Sequence, residues 1–235
     1  MVNGLDTAKD ARVLVLEDAL NRINEIVANR KLKLHIEYGK LGDYLKTAGS
    51  LLYEVKYSYI EAAALADLES TTKILESMAN FRELYTNALN SGYKPSTVKE
   101  SLTLAEMDYA FRIIEGFPTT LRMKTDDPAY AVDILAVEIS QAQPLKESDN
   151  LTECRCSDGS RIWNIITNIT GLKSGTKLAC AVLPPVEMMN NVSDAMFLGS
   201  EPLPDDTNLG PLDTPPDSAL DQARAQVLQI TKRMK

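Results

Sequence analysis

Apolar residues recur every three or four positions through the first half of the chain, which is the spacing of amphipathic helices. Between Gly49 and Gly92 the sequence contains no proline and no further glycine, which favours uninterrupted helix. The pattern predicts four helices, at about residues 7–30, 42–68, 70–90 and 96–115. Since the predicted connections are short, we expect an antiparallel helical bundle.

Residue types that are common at the ends of helices mark several of these boundaries. Ser70 is predicted to cap the start of the third helix, and Gly92 follows its last periodic residue. The sequence Gly116-Phe117-Pro118 is predicted to end the fourth helix, because proline lacks the backbone N–H that a helix needs to continue.

The spacing of apolar residues changes near Asp126, where short apolar runs typical of strands replace the helical spacing. Turn signals such as Ser157-Asp158-Gly159 separate five predicted strands, at residues 131–139, 151–156, 161–166, 177–183 and 195–198. Five short strands in about 70 residues fit an OB-type barrel. The predicted fold class is therefore a multidomain α and β protein, in which an N-terminal helical bundle precedes a five-stranded OB-type β-barrel with a C-terminal helix.

The end of the chain is predicted to be a Pro- and Asp-rich tail followed by an amphipathic helix. Ser218 and Asp221 have the spacing of a capping box, and Lys232, Arg233 and Lys235 suit a helix C-terminus. The predicted domains are the helical bundle at 1–125, the barrel at 126–200, and the tail with its helix at 201–235.

The net charge of −8 at pH 7 counts against strong nucleic-acid binding. The bundle, the barrel and the tail are each acidic, whereas nonspecific nucleic-acid binders usually carry a basic domain or stripe. The chain has no run of about 18 apolar residues, and residues 1–12 lack the apolar core of a signal peptide. We therefore expect a cytoplasmic protein that does not associate with membranes.

Residue types that usually carry catalysis are sparse. His35 is the only histidine, and no phosphate-binding loop, HExxH motif or nucleophile elbow is present. Cys154 and Cys156 share one face of a predicted strand and Cys180 lies on a later strand, which is typical of small apolar residues inside a barrel and lacks the loop-like spacing of zinc ligands. We expect no enzyme activity, no catalytic residue, no cofactor and no metal.

The predicted barrel contains a few groups that could contact RNA. Trp163 and Phe197 could form an exposed stacking platform, or they could fill the barrel core. Its polar candidates, which could bind phosphate, sugar or base edges or could form a solvated rim, are Lys146, Arg161, Asn164 and Lys173.

Several pieces of this region follow one another in a recognisable order and spacing. They are the apolar strand 132–139, the turn 156–159, the strand 161–165, the turn 172–178, and Ser193-Asp194-Ala195-Met196-Phe197-Leu198. Together they resemble the tRNA-binding OB-fold domain of methionyl-tRNA synthetase C-termini, the endothelial-monocyte-activating polypeptide family and stand-alone tRNA-binding chaperones. The resemblance covers residues of about 131–200 only, and it implies an RNA site bordered by Ser193 and Met196.

One loop departs from the pattern of that family. The family carries several cations just before its Ser-x-Gly-Met piece, whereas the corresponding residues 182–190 contain no cation and one acid, Glu187. Two functions therefore stay open. The first is a non-catalytic tRNA-binding accessory protein of translation, which binds structured RNA through the OB-fold rim with help from the basic stretch 30–40. The alternative is a protein–protein adaptor that docks an aminoacyl-tRNA synthetase or a translation factor, with RNA binding lost.

Self-association is a further expectation, because barrels of the resembling family often dimerise. The first predicted helix has a narrow apolar stripe, spaced like a coiled-coil seam, and the last is amphipathic. We expect a homodimer whose interface includes one of these two helices.

Overall fold

The computed structural model describes residues 6–146 and 148–234, so Lys235 and the first five residues lie outside the described part. In this part of the chain six α-helices are present: α1 Ala11–Ala28, α2 Tyr38–Lys56, α3 Ala62–Ala66, α4 Glu69–Leu89, α5 Val98–Arg122 and α6 Asp217–Lys232. Two single-turn 3-10 helices lie at Thr7–Lys9 and Pro128–Ala131. None of the described helices is long and apolar enough to cross a bilayer.

The four predicted helical segments are confirmed in type, but the second is interrupted. It divides into α2 and α3, because the backbone of Tyr59 adopts a left-handed conformation with φ of 53°. Such a conformation is rare for a bulky residue and cannot continue a right-handed helix. The buried hydroxyl of Thr7 holds this turn by donating to the Lys56 carbonyl over 2.7 Å and accepting from the Tyr59 N–H over 3.3 Å.

The predicted end of the fourth helix is wrong, because α5 continues through Pro118 to Arg122. Phe117 and Leu121 lie on the buried side of this last stretch, at 3% and 1% exposure. Burial of two large apolar side chains contributes several kcal/mol in total, which is comparable with the roughly 3 kcal/mol that a proline costs inside a helix.

Two predicted caps are also wrong. The helix α4 begins after Leu68, and the Ser70 hydroxyl instead donates to the Glu54 carboxylate. The helix α6 begins after Pro216 without a side-chain cap, while Asp221 forms an ion pair with Arg224.

The helix α1 is the centre of the bundle. It contacts α2, α5 and α6, and its apolar stripe is buried, with Val13, Leu16 and Ile23 at 0% exposure. Because neighbouring helices of the same chain cover this stripe, it offers no free seam for a second copy. The homodimer, whose interface we expect to include the first or the last helix, stays a prediction.

Five strands form a nearly closed antiparallel barrel, which confirms the predicted OB-type fold class. Their order in the sheet is β3-β2-β1-β4-β7, and β8 pairs with the beginning of β1, at Leu135 and Ala136. The strands are β1 Ile134–Pro144, β2 Thr152–Ser157, β3 Ile162–Thr167, β4 Lys177–Ala181, β5 Val186–Met188, β6 Asn191–Ser193, β7 Met196–Phe197 and β8 Gly210–Pro211. β5 and β6 form a separate two-stranded hairpin that the sequence did not predict.

Hydrogen bonds between β3 and residues 192–194 bring the two ends of the sheet together. The Asp194 N–H donates to the Asn164 carbonyl over 2.8 Å, and the Asn164 amide donates to the Val192 carbonyl over 2.8 Å. The Ile166 N–H donates to the Ser193 hydroxyl over 3.0 Å. These bonds pair polar groups that an open sheet edge would leave exposed.

The helical half and the barrel are in direct contact. Arg112 of α5 forms an ion pair with Asp133, just before β1, and Arg224 of α6 forms one with Asp127 over 2.6 Å. Buried apolar residues from both halves belong to one continuous core cluster. The division into domains at residues 125 and 200 stays a prediction.

Candidate functional site

A groove of about 370 Å³ lies where α6 and α1 meet the rim of the barrel. Its lining is mainly apolar, and the barrel side includes Ile166, Leu183, Met188 and Met196. The helical side adds Arg22 from α1 and, from α6 and the residue after it, Gln226, Gln229 and Arg233. Concave apolar sites with a few polar groups at their edge are the usual form of binding sites.

The two guanidinium groups of the groove differ in their surroundings. Arg22 donates to the Asp18 carboxylate over 2.6 Å and lies 3.6 Å from the Glu106 carboxylate, so two acids offset its charge. Arg233 is exposed and forms no ion pair with the described residues. Arg233 is therefore the cation of the groove that is free to bind an anionic ligand.

Ser193 and Met196, the two residues that the resemblance assigns to an RNA site, both line this groove. The Ser193 side chain is committed to the fold, because its hydroxyl accepts from the Ile166 N–H and donates to the Ala195 carbonyl, each over 3.0 Å. It is also only 3% exposed. Met196 is half-buried and can contact a ligand through its side chain.

Asn164 and Arg161 lie outside the groove. Asn164 closes the barrel, as described above, and its amide is committed to the Val192 carbonyl. The Arg161 guanidinium lies 3.9 Å from the centre of the Trp163 ring and faces two acids, Asp108, which is exposed, and Asp194, which is half-buried. Burial raises the pKa of both acids, and the nearby Arg161 opposes that rise. The Arg161 side chain therefore links α5 to the barrel.

Lys146 and Lys173 are exposed, in the turns between β1 and β2 and between β3 and β4. Lys146 lies near the start of β2, whereas Arg161 lies beyond its end. Six extended residues span roughly 16 Å, so these two cations are at opposite ends of the barrel. The six residues proposed from the sequence therefore do not form one site.

Trp163 and Phe197 belong to the barrel core, at 2% and 4% exposure. The Trp163 indole N–H donates to the buried Asp158 carboxylate over 2.9 Å. Neither ring can stack on a base without opening the barrel, which rules out the stacking-platform interpretation of these two residues.

A family model described as an alpha helical domain matches residues 4–124, slightly more than half of the chain. The chain belongs to this alpha helical domain family. No curated protein matches it. A solved structure, described as a MetRS related protein from Pyrococcus horikoshii, is similar at 18% sequence identity and a TM-score of 0.34, over 38% of this chain and 96% of that chain. The barrel is therefore identified from its strand order and from the hydrogen bonds that join the two ends of the sheet.

The alpha helical domain supplies Arg22 of the groove, which sequence reasoning missed together with Gln226, Gln229 and Arg233. These residues come from two helices that are about 200 positions apart in the chain, and only tertiary packing joins them. The one feature of the sequence that could have pointed to Arg233 was the basic end of the last helix. We interpreted these basic residues only as favourable charges at the C-terminal end of the helix dipole.

The β5–β6 hairpin was missed for a different reason. Met189 and Asn190 form its turn with φ values of 47° and 59°, and a two-residue turn of this kind usually carries glycine. The hairpin leaves apolar side chains in solvent, since Val186, Met188 and Met189 are 45%, 37% and 49% exposed.

The three cysteines are buried inside the barrel at 0% exposure, as the apolar interpretation predicts. Burial raises the pKa of Cys154 to about 11 and that of Cys156 to about 12, and it raises the pKa of Cys180 as well. In the described part of the chain no group of three His, Cys, Asp or Glu side chains is arranged to hold a metal ion. His35 is exposed, outside the groove.

Proposed function

We propose that this protein is a non-catalytic RNA-binding accessory protein of translation, which holds structured RNA such as tRNA in the groove between the barrel and α6. One observation carries the proposal. Met196 and the backbone around Ser193, the piece that resembles an RNA site, form the same groove as the guanidinium of Arg233, which forms no ion pair within residues 6–146 and 148–234.

Arg233 matters because the barrel loop at residues 182–190 lacks the cations that the resembling family carries there. Residues 182–190 carry no cation, but Val186 and Met188 of that loop line the same groove as the α6 residues. Arg233 therefore supplies a cation to a groove whose loop side has none. Guanidinium groups bind phosphate through two parallel hydrogen bonds.

The chemistry of the groove sets the mode of binding. The amides of Gln226 and Gln229 can donate to and accept from sugar or base edges, while the methionines offer apolar contact. The buried Trp163 and Phe197 provide no stacking surface. Phosphate contacts would then supply most of the affinity, so binding should be weak and strongly dependent on salt.

Filter binding of total tRNA across a salt series tests this proposal. Arg233→Ala should weaken binding at low salt about three- to tenfold and lower the salt slope by roughly 0.7–0.9, the share of one phosphate contact. Lys173→Ala is the matched control, because it removes the same charge from an exposed turn outside the groove. Undetectable binding at low salt, or equal losses for both variants, would refute the groove as an RNA site.

A second candidate function, a protein adaptor, is favoured by an exposed aromatic surface on the alpha helical domain. Tyr53, Tyr57 and Tyr59 are 68%, 49% and 56% exposed, and the rings of Tyr53 and Tyr57 stack with centroids 6.1 Å apart. Tyrosines are enriched in protein interfaces because they bury much apolar area with little loss of side-chain entropy.

The adaptor function predicts a stoichiometric complex with an aminoacyl-tRNA synthetase. Light scattering of a mixture with purified methionyl-tRNA synthetase should show the complex, and Tyr53→Ser with Tyr57→Ser should abolish it. Leu228→Ser is a suitable control, because it removes an exposed apolar side chain, 46% exposed, from α6. If the complex forms equally well with the double tyrosine variant and with the control, the tyrosine surface is not the binding site for the synthetase.

A further inference from the structure

We infer that the groove between the barrel and α6 holds a single unpaired nucleotide, with its base against the apolar barrel wall and its phosphate on Arg233. The inference rests on the proposed RNA-binding function and names the class of RNA that the site takes. A structured RNA would be recognised at a nucleotide turned out of its helix, whereas a continuous duplex would not be.

The size of the groove limits what can enter it. Its volume of about 370 Å³ lies near the lower end of the range of clefts that enclose small molecules. An A-form duplex is convex and presents a shallow minor groove and two phosphate backbones, so it can touch only the edge of such a cleft. A single nucleotide that projects from the helix is small enough to enter.

The barrel wall of the groove suits an aromatic base. It is formed by apolar residues of the segment 183–188 and by Met196 of β7. Met188 is 37% exposed and Met196 is half-buried, so both side chains remain accessible to a ligand. Methionine side chains are flexible and make favourable sulfur contacts with aromatic rings. They can therefore contact a base in the way that exposed aromatic side chains do in other single-strand sites.

The α6 wall presents polar groups that fit the rest of a nucleotide. Gln226, Gln229 and Arg233 are three and four positions apart, which places them on one face of the helix. Within residues 6–146 and 148–234 their side chains form no hydrogen bond or ion pair. An amide carries a donor beside an acceptor and can pair with the edge of an unpaired base, while a guanidinium binds phosphate. The wall therefore offers free groups for both the base and the phosphate.

The charges around the groove allow one phosphate. Arg22 also lines it, but the carboxylates of Asp18 and Glu106 offset its guanidinium charge. Arg233 is then the one cation of the groove without an ion pair in the described part of the chain. A neutral base is not repelled by the two acids, whereas a second phosphate beside them would be. The groove therefore fits one nucleotide better than a run of RNA backbone.

Two hairpin RNAs test the inference on the full chain, one with a fully paired stem and one with a single adenosine bulged from the same stem. The parent protein should bind the bulged RNA about three- to tenfold more tightly at low salt, and Met188→Ser should remove this preference without changing the affinity for the paired RNA. A 2-aminopurine in place of the bulged adenosine gives a direct readout. Its fluorescence should rise on binding, because the base leaves the helical stack to enter the groove.

Met189→Ser is the matched control, because Met189 is the next residue of the hairpin, is 49% exposed and does not line the groove. Equal affinities of the parent protein for the two RNAs, equal losses for the two methionine variants, or an unchanged fluorescence would overturn the inference. The groove then still stands as a phosphate site, provided that Arg233→Ala weakens binding of the paired RNA.

Two further outcomes separate this inference from the proposed function. If Met188→Ser keeps the preference for the bulged RNA but loses the complex with methionyl-tRNA synthetase, the groove belongs to a protein partner and the inference is wrong. If Arg233→Ala changes the binding of neither RNA, the proposed function itself fails.

Discussion

Trp163 donates its indole N–H to the Asp158 carboxylate over 2.9 Å, and both side chains are buried where β2 turns into β3. The other oxygen of this carboxylate accepts the backbone N–H groups of Ser160 and Arg161 over 2.8 and 2.7 Å. One carboxylate therefore fixes both the turn and the largest ring of the barrel core. The Arg161 guanidinium then covers that ring from outside, at 3.9 Å from its centre.

Asp158→Asn should destabilise the protein by roughly 1–3 kcal/mol, because the amide can replace only one of the two acceptor oxygens. Urea unfolding followed by the fluorescence of Trp163, the only tryptophan, measures the change. Asp149→Asn serves as the control, since this exposed aspartate should change stability by less than about 0.5 kcal/mol. Equal midpoints for the two variants would contradict the role of Asp158.

The Asp158 carboxylate should also make the free energy of unfolding depend on pH in the acidic range. Burial opposes ionisation of Asp158, but hydrogen bonds from Arg161, Trp163 and Ser160 outweigh it and lower the pKa from 3.8 to about 2. A lowered pKa in the folded state means that the ionised group stabilises the fold. Its contribution, roughly 2 kcal/mol, is complete above the unfolded pKa and is lost as the pH falls through about 2.

Urea unfolding of the parent and of Asp158→Asn between pH of about 5 and about 2 measures this dependence. The difference in the free energy of unfolding between the two proteins should shrink as the pH falls. A difference that stays constant over this range would show that Asp158 has an ordinary pKa.

The barrel thiols should be unreactive in the folded protein. Because burial raises the pKa of Cys154 to about 11 and of Cys156 to about 12, almost no thiolate is present at pH of about 8. A colorimetric disulfide reagent should label all three cysteines in urea and none of them over the same time without it. Rapid labelling of the native protein, or stoichiometric zinc in protein purified without added metal, would contradict this picture.

The kinds of element were more predictable from the sequence than the roles of their polar side chains. The change from helical to strand spacing occurs between Arg122 and Ile134, close to the predicted change at Asp126, because periodicity reports which face is buried. The end of α5 was not predictable in this way. Local proline chemistry favoured an end at Pro118, and only the tertiary burial of Phe117 and Leu121 decided against it.

Tertiary contacts also decide the roles of single side chains in the candidate site, and the sequence alone does not predict those contacts. Asn164 and Ser193 have residue types that suit RNA, but their hydrogen-bonding groups close the barrel. A sequence does not reveal which partner a polar group will find. Arg233 was unpredictable for the converse reason, because its place in the groove depends on how α6 packs against α1 and the barrel.

Restoring cations to the barrel loop should tighten RNA binding. Val186 and Glu187 are exposed on β5, so Val186→Arg with Glu187→Lys should leave the hairpin folded. Val186 also lines the groove that contains Arg233. Two added cations at this edge should raise tRNA affinity at low salt by at least tenfold and steepen the salt slope by roughly 1.4–1.8, since each new phosphate contact releases counterions.

The control for this gain is Ser148→Arg with Asp149→Lys, in the turn between β1 and β2. It produces the same change in net charge at exposed or half-buried positions outside the groove. Long-range attraction alone would tighten binding equally in both proteins and would weaken with added salt in both. A gain confined to the loop variant requires direct contact at the groove, whereas equal gains, or none, would locate RNA binding elsewhere and leave the adaptor function as the better account.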